Sequence, residues 1–289
     1  MLSLGLMKWR VALVPAKSSK SGNQSASSGD PILGASSGKK RRHSVSSCNE
    51  YERCPRRYEY GYVMRLPQDR LVPTAWRYGS VVHAALEAAY KKVLRGMPLA
   101  QTKSVALDAL SAAWVSEDMP DDPEWISRAE QVVADAIEKD PIGVAEILGV
   151  EQYFKSSMNA GLEFGGFADL VLRLDERTVE IVDHKVTSHA STPEDLQMNA
   201  QLNLYGFFAL EKYSWADRVV VTHHYPPLRS TVSAELLPEK MNEVVASLVG
   251  LARQAEADTE FAPCPGEYCS SCPWADRCDA APESARSAK

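Results

Sequence analysis

Charged side chains interrupt two successive apolar segments near the middle of this 289-residue chain. Asp169 lies between Phe167 and Leu170, and the next apolar segment carries Asp183 and Lys185. Because side chains alternate along a strand, Asp183 and Lys185 point to the same face. Two carboxylates on adjacent strands repel each other unless a cation lies between them, and burying either one unpaired is costly. The pattern therefore predicts a site for Mg²⁺ or Mn²⁺, cations that prefer oxygen ligands.

The lysine indicates what chemistry this predicted site performs. An ammonium group beside two metal-binding carboxylates can hold a water molecule or stabilise the negative charge of a transition state. Metal-assisted phosphodiester hydrolysis requires both features, because the metal activates water and neutralises developing charge. The alternative is an ordinary solvated ion pair between Asp183 and Lys185 on an exposed strand face.

Helical and extended patterns alternate along the chain from residue 44 onward. After an opening helical segment at 44–60, apolar periodicity predicts helices over 77–95, 99–117, 123–139, 193–213 and 238–257. Alternating or continuous apolar runs predict strands over 150–156, 162–174, 179–186, 218–225 and 231–237, with a hairpin turn at 175–177. This order predicts an α/β fold in which helices flank a central mixed sheet.

The first 43 residues differ from the remainder in charge and composition. They carry eight Lys or Arg and one acid, a net charge of +7, whereas the remainder has a net charge of −13. We therefore predict a disordered, basic, Ser/Gly-rich tail over 1–43, one domain over 44–279 and a flexible C-terminal tail over 280–289. Two alternatives for the basic tail are a contact to nucleic acid phosphates and an organelle presequence.

Composition excludes several classes of protein. The chain is 45% hydrophobic and 24% charged, which is ordinary for a soluble globular domain and unlike a fibre or a disordered scaffold. No run of about 18 apolar residues is present, so no membrane partner is expected. A secretory signal fits poorly, because Lys8 and Arg10 interrupt the one apolar stretch at the N-terminus. We therefore predict a cytoplasmic protein whose six cysteines stay reduced.

Arginines and aromatic residues alternate between residues 51 and 78. Cations suit the backbone of a single nucleic acid strand and flat rings suit its bases, so this interleaving predicts a single-strand-binding surface. Its predicted DNA-binding residues are Arg53, Arg56, Arg57 and Tyr58. The alternative is a helix–turn segment in which the tyrosines are half-buried core residues.

Three cysteines near the C-terminus have a spacing typical of a metal site. Cys269, Cys272 and Cys278 lie in a segment rich in Pro, Ser and Gly, and they leave a tetrahedral site one ligand short. Cys54, far upstream, is the natural fourth thiolate. Structural zinc is one interpretation of this set, although zinc ribbons bring together two close pairs.

Four short motifs resemble the RecB-like branch of the PD-(D/E)xK nuclease superfamily. In chain order they are Gly-x-x-x-His at 79–83, Gly-x-x-Asp at 166–169, Asp-x-Lys at 183–185 and Gln-x-x-x-Tyr at 201–205. The resemblance implies a restriction-endonuclease-like core that binds Mg²⁺ or Mn²⁺. The implied metal ligands are His83, Asp169, Asp183 and the backbone carbonyl of Val186. The implied catalytic residues are Lys185, which positions the attacking water, together with Asp169, Asp183, Gln201 and Tyr205.

The cysteines extend the resemblance to RecB-like nucleases that carry an iron–sulfur cluster, such as AddB nuclease domains and CRISPR-associated exonucleases. In these proteins one N-terminal cysteine and a C-terminal Cys-x2-Cys-x5-Cys hold a [4Fe–4S] cluster. The same pattern here implies that Cys54, Cys269, Cys272 and Cys278 hold such a cluster and thereby join the N- and C-terminal ends of the domain. The residues around Cys54, from Tyr51 to Tyr58, also resemble theirs.

These observations together predict a metal-dependent DNA exonuclease that acts on single-stranded DNA or DNA ends. The resemblance implies cleavage from the 5′ end and a role in recombination, repair or CRISPR spacer acquisition, with a recombination or CRISPR integrase partner. Two alternatives remain. One is a nuclease-fold subunit whose main task is to dock a partner, and the other is a zinc-stapled nucleic-acid-binding protein without catalysis.

Overall fold

The computed structural model describes residues 41–70, 72–139, 145–158 and 161–286, and within them one mixed sheet of six strands forms the centre. The strands are β1 (Arg42–His43), β2 (Glu146–Met158), β3 (Leu162–Arg173), β4 (Thr178–His184), β5 (Arg218–Tyr225) and β6 (Ser230–Glu235). Their order is β1-β3-β4-β5-β6, and β2 also pairs with β3. The β1–β3 and β4–β5 pairs are parallel and the others are antiparallel, which confirms the predicted mixed sheet.

Eight α-helices accompany the sheet in the part of the chain that the structure describes. They are α1 (Val45–Arg53), α2 (Pro55–Tyr58), α3 (Thr74–Val93), α4 (Lys103–Ser116), α5 (Pro123–Lys139), α6 (Pro193–Met198), α7 (Ala200–Lys212) and α8 (Pro238–Ala257). A capping box between Ser44 and Ser47 begins α1. Gly96, with φ of +93°, follows the last turn of α3, where the left-handed backbone favours glycine. None of the helices described is long and apolar enough to cross a membrane.

Helices cover the sheet on both faces because its central strands are apolar on both sides. Val171 and Ile181 pack into an apolar cluster with α7 and α8. Their neighbours Leu170, Leu172 and Val182 pack into a second cluster with α3, α4 and α5. Strands buried on both faces read as continuous apolar runs, which is the pattern seen in the sequence. Helices α3 and α7 therefore approach β3 and β4 from opposite sides.

The predicted helix over 193–213 is two helices. Asn199 adopts an extended conformation between them, and its side chain accepts a hydrogen bond from the backbone N–H of Leu202. This is the geometry of an N-cap, so the asparagine ends α6 and begins α7 within one apolar segment.

Both predicted tails contribute residues to the folded domain. Arg42 and His43 form β1 beside Glu163 and Phe164, although the predicted tail extended to residue 43. At the other end Ala281 and Ala285 are buried. Residues 1–40 and 287–289 of the predicted tails lie outside the described residues.

Candidate active site

The two predicted acids meet where strands β3 and β4 separate. The β3–β4 ladder begins with Leu170 opposite Val182, so Asp169 and Asp183 are the next positions outward on the two strands. The backbone N–H of His184 donates a hydrogen bond to Asp169 Oδ2 at 2.7 Å. We call this point, where β3 and β4 separate beside Asp169 and Asp183, the strand fork. It brings the two carboxyl groups together, as the sequence analysis predicted for acids on adjacent strands.

The two carboxyl groups oppose each other's ionisation. Asp183 is only 5% exposed to solvent. Burial, and then the charge of Asp183, raise the pKa of Asp169 to about 8. The hydrogen bond from His184 lowers this pKa but is outweighed. A positive ion at the fork would let both acids be charged at neutral pH, because an opposite charge nearby favours the ionised form.

Lys185 and Gln201 contact Asp183 from two elements. Lys185 Nζ lies 2.6 Å from Asp183 Oδ2, and its side chain is partly exposed. Gln201, in the first turn of α7, donates from Nε2 to Asp183 Oδ1 at 3.0 Å. The amide fixes one carboxylate oxygen, and the ammonium group reaches from the fork toward solvent, where a substrate would approach.

Tyr205 lies one helical turn after Gln201 and packs on β3. A Cβ atom at Gly166 would be 2.6 Å from Tyr205 Oη, so this glycine makes room for the ring. Burial is the largest cause that raises the pKa of Tyr205, with the Asp183 and Asp169 charges adding to it. Tyr205 is therefore a neutral phenol at the edge of the acidic centre, and the Gln-x-x-x-Tyr spacing places both side chains on the site-facing side of α7.

His83 reaches the same centre from α3. Its Nδ1 atom lies 3.4 Å from Asp169 Oδ2. Burial lowers the pKa of His83, and the nearby Asp183 charge offsets only part of that shift. A neutral imidazole is the form that binds a metal ion. The structure thus brings together five of the predicted residues: His83, Asp169, Asp183, Lys185 and Gln201.

The donor set suits a hard divalent cation. It combines one imidazole with two carboxyl groups, and the buried Asp183 Oδ2 has the Lys185 ammonium group beside it but no well-directed hydrogen bond among the described residues. Among the described residues, no group of three or more His, Cys, Asp or Glu side chains is already arranged as a metal-ion site. Val186 follows the lysine and packs its side chain beside the α3–α5 cluster. Its carbonyl as a ligand stays a prediction.

Two histidines at the end of β5 border the site and were not predicted. His223 pairs with Asp183 across the parallel ladder, and its Nε2 atom lies 3.9 Å from Asp183 Oδ2. His224 pairs with His184, and the two Nδ1 atoms are 2.9 Å apart. The signal in the sequence is the polar His-His-Tyr end of an otherwise apolar strand, which becomes meaningful only when β5 is known to lie beside β4.

Glu151 is a third carboxyl group at the fork, on β2. Val150 pairs with Leu170 and Gln152 with Ala168, so Glu151 lies opposite Asp169. Its φ of +47° is in the left-handed region, which an L-residue inside a strand rarely adopts. Burial raises its pKa, as do the Glu87 and Asp183 charges.

The predicted DNA-binding residues divide into two groups. Tyr58 is 2% exposed and packs with Ala255 and Phe261, so its ring belongs to the core and the predicted contact with a base does not fit. Arg57 is also buried and forms an ion pair with Glu50. The two outer arginines are more accessible: Arg53 lies over the ring of Tyr268, and Arg56 donates to the carbonyl of Phe261. For Tyr58 the alternative interpretation, a tyrosine that belongs to the core, fits the structure better.

The cysteines of the two chain ends line one cavity. Cys54, Cys264, Cys269, Cys272 and Cys278 form its wall together with Arg56 and Arg57. Burial raises the pKa of the Cys272 thiol, and the nearby Cys54 and Cys269 add to that rise. Cys264 lies outside the predicted set of four, and its backbone N–H donates to Cys54 Sγ at 3.4 Å. Cys48 instead lies in the apolar core, where burial raises its pKa to about 12.

An α/β core with two strand acids, a lysine and a flanking histidine at a strand fork has the arrangement of a nuclease site. A family profile described as the PD-(D/E)XK nuclease superfamily matches residues 42–279. The chain belongs to this superfamily, and its role is that of a hydrolytic nuclease. Members of the superfamily generally use divalent metals such as Mg²⁺ or Mn²⁺.

The chain is also similar in fold to solved structures. A Eubacterium rectale protein described as a "Putative exonuclease" superimposes with a TM-score of 0.50 at 10% sequence identity, over 76% of this chain and 84% of that chain. A second structure, of a protein named SSO0001, matches over 85% of this chain and 90% of that chain, with a TM-score of 0.36 and 15% sequence identity. No curated protein sequence matches the chain significantly.

Proposed function

We propose that this protein is a Mg²⁺- or Mn²⁺-dependent exonuclease that hydrolyses single-stranded DNA or DNA ends from the 5′ terminus. The observation that carries the proposal is the convergence of Asp169, Asp183 and Lys185 at one strand fork. An E. rectale protein of similar fold, described as a "Putative exonuclease", is consistent with it.

His83, Asp169 and Asp183 would hold the metal in this proposal. Two of these side chains already lie close together, because Nδ1 of His83 is 3.4 Å from Asp169 Oδ2. When bound, the divalent metal supplies Lewis acidity that activates water and neutralises charge on the phosphate. Without the metal the two carboxyl groups oppose each other's ionisation, and with it bound both would be ionised ligands.

Lys185 and Gln201 perform the positioning. The Lys185 ammonium group lies at the exposed side of Asp183, where it orients the attacking water and stabilises negative charge that develops on phosphate oxygens. Gln201 holds Asp183 Oδ1 by a hydrogen bond, which leaves Oδ2 turned toward the metal and the lysine. His223 borders the same oxygen from β5.

Cleavage of end-labelled oligonucleotides tests the proposal. Wild-type protein should cut a 5′-labelled single strand in Mg²⁺ or Mn²⁺ and not in EDTA. Asp183→Ala, Asp169→Ala and Lys185→Ala should each lower the rate at least about 100-fold while DNA binding is kept. Asp108→Ala, which removes an exposed carboxylate of α4, is the matched control. A rate within about tenfold of wild type in any of the three site variants would contradict this assignment.

We also propose that Cys54, Cys269, Cys272 and Cys278 hold a [4Fe–4S] cluster. Five cysteines line a single cavity, and two arginines in its wall match the negative charge of thiolate-ligated iron. Arg57 Nη1 is buried and donates no hydrogen bond within the described residues. Such a cluster would close a loop of more than 200 residues and restrict the unfolded chain.

Colour and metal content test the cluster. Protein purified without oxygen should be brown and contain about four irons per chain. Cys54→Ala and Cys272→Ala should remove the colour and lower the thermal stability, whereas Cys48→Ala, a core cysteine, should keep the colour. Cys264→Ala decides whether the fifth cavity cysteine is a ligand. A colourless protein with one zinc, or a stable metal-free protein, would overturn this part of the proposal.

The resemblance in the sequence predicts a recombination or CRISPR integrase partner for this nuclease. The alternative, a zinc-stapled or partner-docking subunit with little catalysis, would give a colourless protein that binds DNA and leaves the labelled strand intact. The same two measurements therefore decide between the enzyme and the docking subunit.

A further inference from the structure

A cavity of about 330 Å³ opens beside the candidate active site, on the side of α3 and α5. Its wall includes the two residues after the catalytic lysine, aromatic residues of both helices and the turn that follows β5. The wall residues that carry the argument are Tyr78, Trp125, Arg128, Val186, Thr187 and Leu228. Its size is within the range of sites for small ligands, roughly 300–1,000 Å³.

The floor of this cavity offers flat apolar surface. The rings of Tyr78 and Trp125 meet edge to face, with centroids 6.0 Å apart and planes at 85°. Trp125 is 41% exposed although it is a large apolar side chain, and Leu228 beside it is also exposed. An open indole face next to a leucine is a surface on which another aromatic ring can stack.

The polar groups of the cavity suit an anionic, hydrogen-bonding ligand. Arg128 makes no ion pair or hydrogen bond with any residue that the structure describes, so its guanidinium is available. Tyr78 Oη is buried and likewise lacks a hydrogen-bond partner among the described residues. Thr187 also lines the cavity, and its hydroxyl accepts a hydrogen bond from the backbone N–H of His189. A stacking face, a free cation and unused donors together match a nucleotide.

The position of the cavity connects it to the cleaved bond. Val186 and Thr187 follow Lys185 directly, so a phosphate held at the lysine has its neighbouring nucleotide within reach of the cavity. A base in a duplex is paired and stacked, whereas a base in a single strand or at a frayed end can turn outward. We propose that this cavity binds one unstacked base of the substrate strand, next to the scissile phosphate, with Trp125 as the stacking residue and Arg128 on the adjoining phosphate.

This inference rests on the proposed nuclease function and deepens it, since a base-binding cavity makes the enzyme select single strands. Binding is measured by fluorescence polarisation in EDTA, with a labelled single-stranded oligonucleotide and a series in which one nucleotide at a time is abasic. At one position, next to the mapped cleavage site, the abasic nucleotide should weaken wild-type binding about tenfold. Trp125→Ala should weaken the binding of the intact strand by about the same factor. The abasic nucleotide at that position should then cause no further loss of affinity in this variant.

The control variant is Val115→Ala, which removes an 81%-exposed apolar side chain of α4 that does not line the cavity. It should bind all strands as wild type does. Arg128→Ala, a surface change, should weaken the binding of the intact and abasic strands by equal factors, and it keeps the proposal testable if Trp125→Ala unfolds.

The base-binding proposal would be overturned if Trp125→Ala and the abasic nucleotide weakened binding independently of each other. Equal losses of affinity in the Val115 and Trp125 variants would also overturn it. A protein that cuts DNA yet shows no such coupling would refute the cavity alone. A wild-type protein that cuts no DNA in either metal would instead refute the proposed function.

Discussion

Asp169→Asn should make the metal-free protein more stable while it abolishes cleavage. Asparagine mimics the neutral acid and its oxygen can still accept the hydrogen bond from the backbone of His184. The aspartate, in contrast, has a pKa of about 8 in the folded protein because it is buried beside Asp183. In the unfolded chain its pKa is about 3.9. Folding therefore requires this carboxyl group to take up a proton at neutral pH.

The magnitude and its sign follow from linkage. A raised pKa means that the folded state binds more protons than the unfolded state, so stability falls as the pH rises from about 4 to about 8. One pKa unit corresponds to about 1.4 kcal/mol, which gives a cost near 4 kcal/mol at pH 7 and between about 1 and 2 kcal/mol at pH 5. Relaxation of the fork and entry of water reduce these values, so they are upper limits.

Urea unfolding without added divalent metal measures the effect. The variant should exceed wild type in unfolding free energy, and the difference should grow from pH 5 to pH 7. Asp175→Asn is the control with the opposite sign, because a backbone N–H from Arg177 lowers the pKa of that exposed carboxyl. Added Mg²⁺ should stabilise the wild type and not Asp169→Asn. A variant that is less stable than wild type, or a gain that does not change with pH, would refute the reasoning.

Three further changes test the packing around the fork. Gly166→Ala should lower the unfolding free energy by about 1–3 kcal/mol, since the new Cβ meets the Tyr205 ring, whereas Gly250→Ala in α8, which has open space, should be neutral or stabilising in the same urea titration. Ile181→Ala should cost about 2–5 kcal/mol by leaving a cavity between the sheet and α7, and an unchanged melting temperature would argue against that packing. His224→Asn should reduce the loss of stability below pH 6.5. Burial lowers the pKa of His224 to about 4, so protonation at low pH opposes folding of the wild type by about 3 kcal/mol. Parallel plots of unfolding free energy against pH for the variant and the wild type would contradict this.

Much of the fold could be predicted because its strands and helices are strongly periodic. Strand β5 and helices α5 and α8 begin and end where the sequence predicted. The misses have local causes. A single asparagine cap divides the predicted helix after 193, and β1 is a two-residue strand in a segment whose composition resembles a linker. Neither leaves a hydrophobic period for a sequence argument to detect.

In the candidate site, too, some residues could be predicted from their sequence neighbours, whereas others depend on how the strands pack. Asp169 and Asp183 could be predicted because an acidic residue within an apolar strand is unusual and can be seen in the sequence alone. The contribution of His223 could not, because it depends on β5 lying parallel to β4. The left-handed backbone of Glu151 could not be predicted either, because it exists only in the folded chain. The burial of Tyr58 also depends on Phe261, about 200 residues away.

The ends of the domain are joined by ordinary contacts as well as by the proposed cluster. Trp274 Nε1 donates to the carbonyl of Pro67 at 3.1 Å, and the backbone N–H of Asp69 donates to the carbonyl of Pro273. Arg277 forms an ion pair with Asp69. Closing a loop of this length costs about 5 kcal/mol, whereas each hydrogen bond returns only about 1 kcal/mol net.

Arg70 also donates to the carbonyl of Ser270 and forms an ion pair with Asp276, so several contacts together offset loop closure, and apolar packing or a bound cluster would add to them. Gly61 lies against the Trp274 ring so closely that a Cβ there would be 2.8 Å from it, so the packing beside the cavity is tight. Loss of the cluster should consequently weaken the junction without dissolving the sheet. The strand fork, held by β3, β4 and β5, would keep its acids in place.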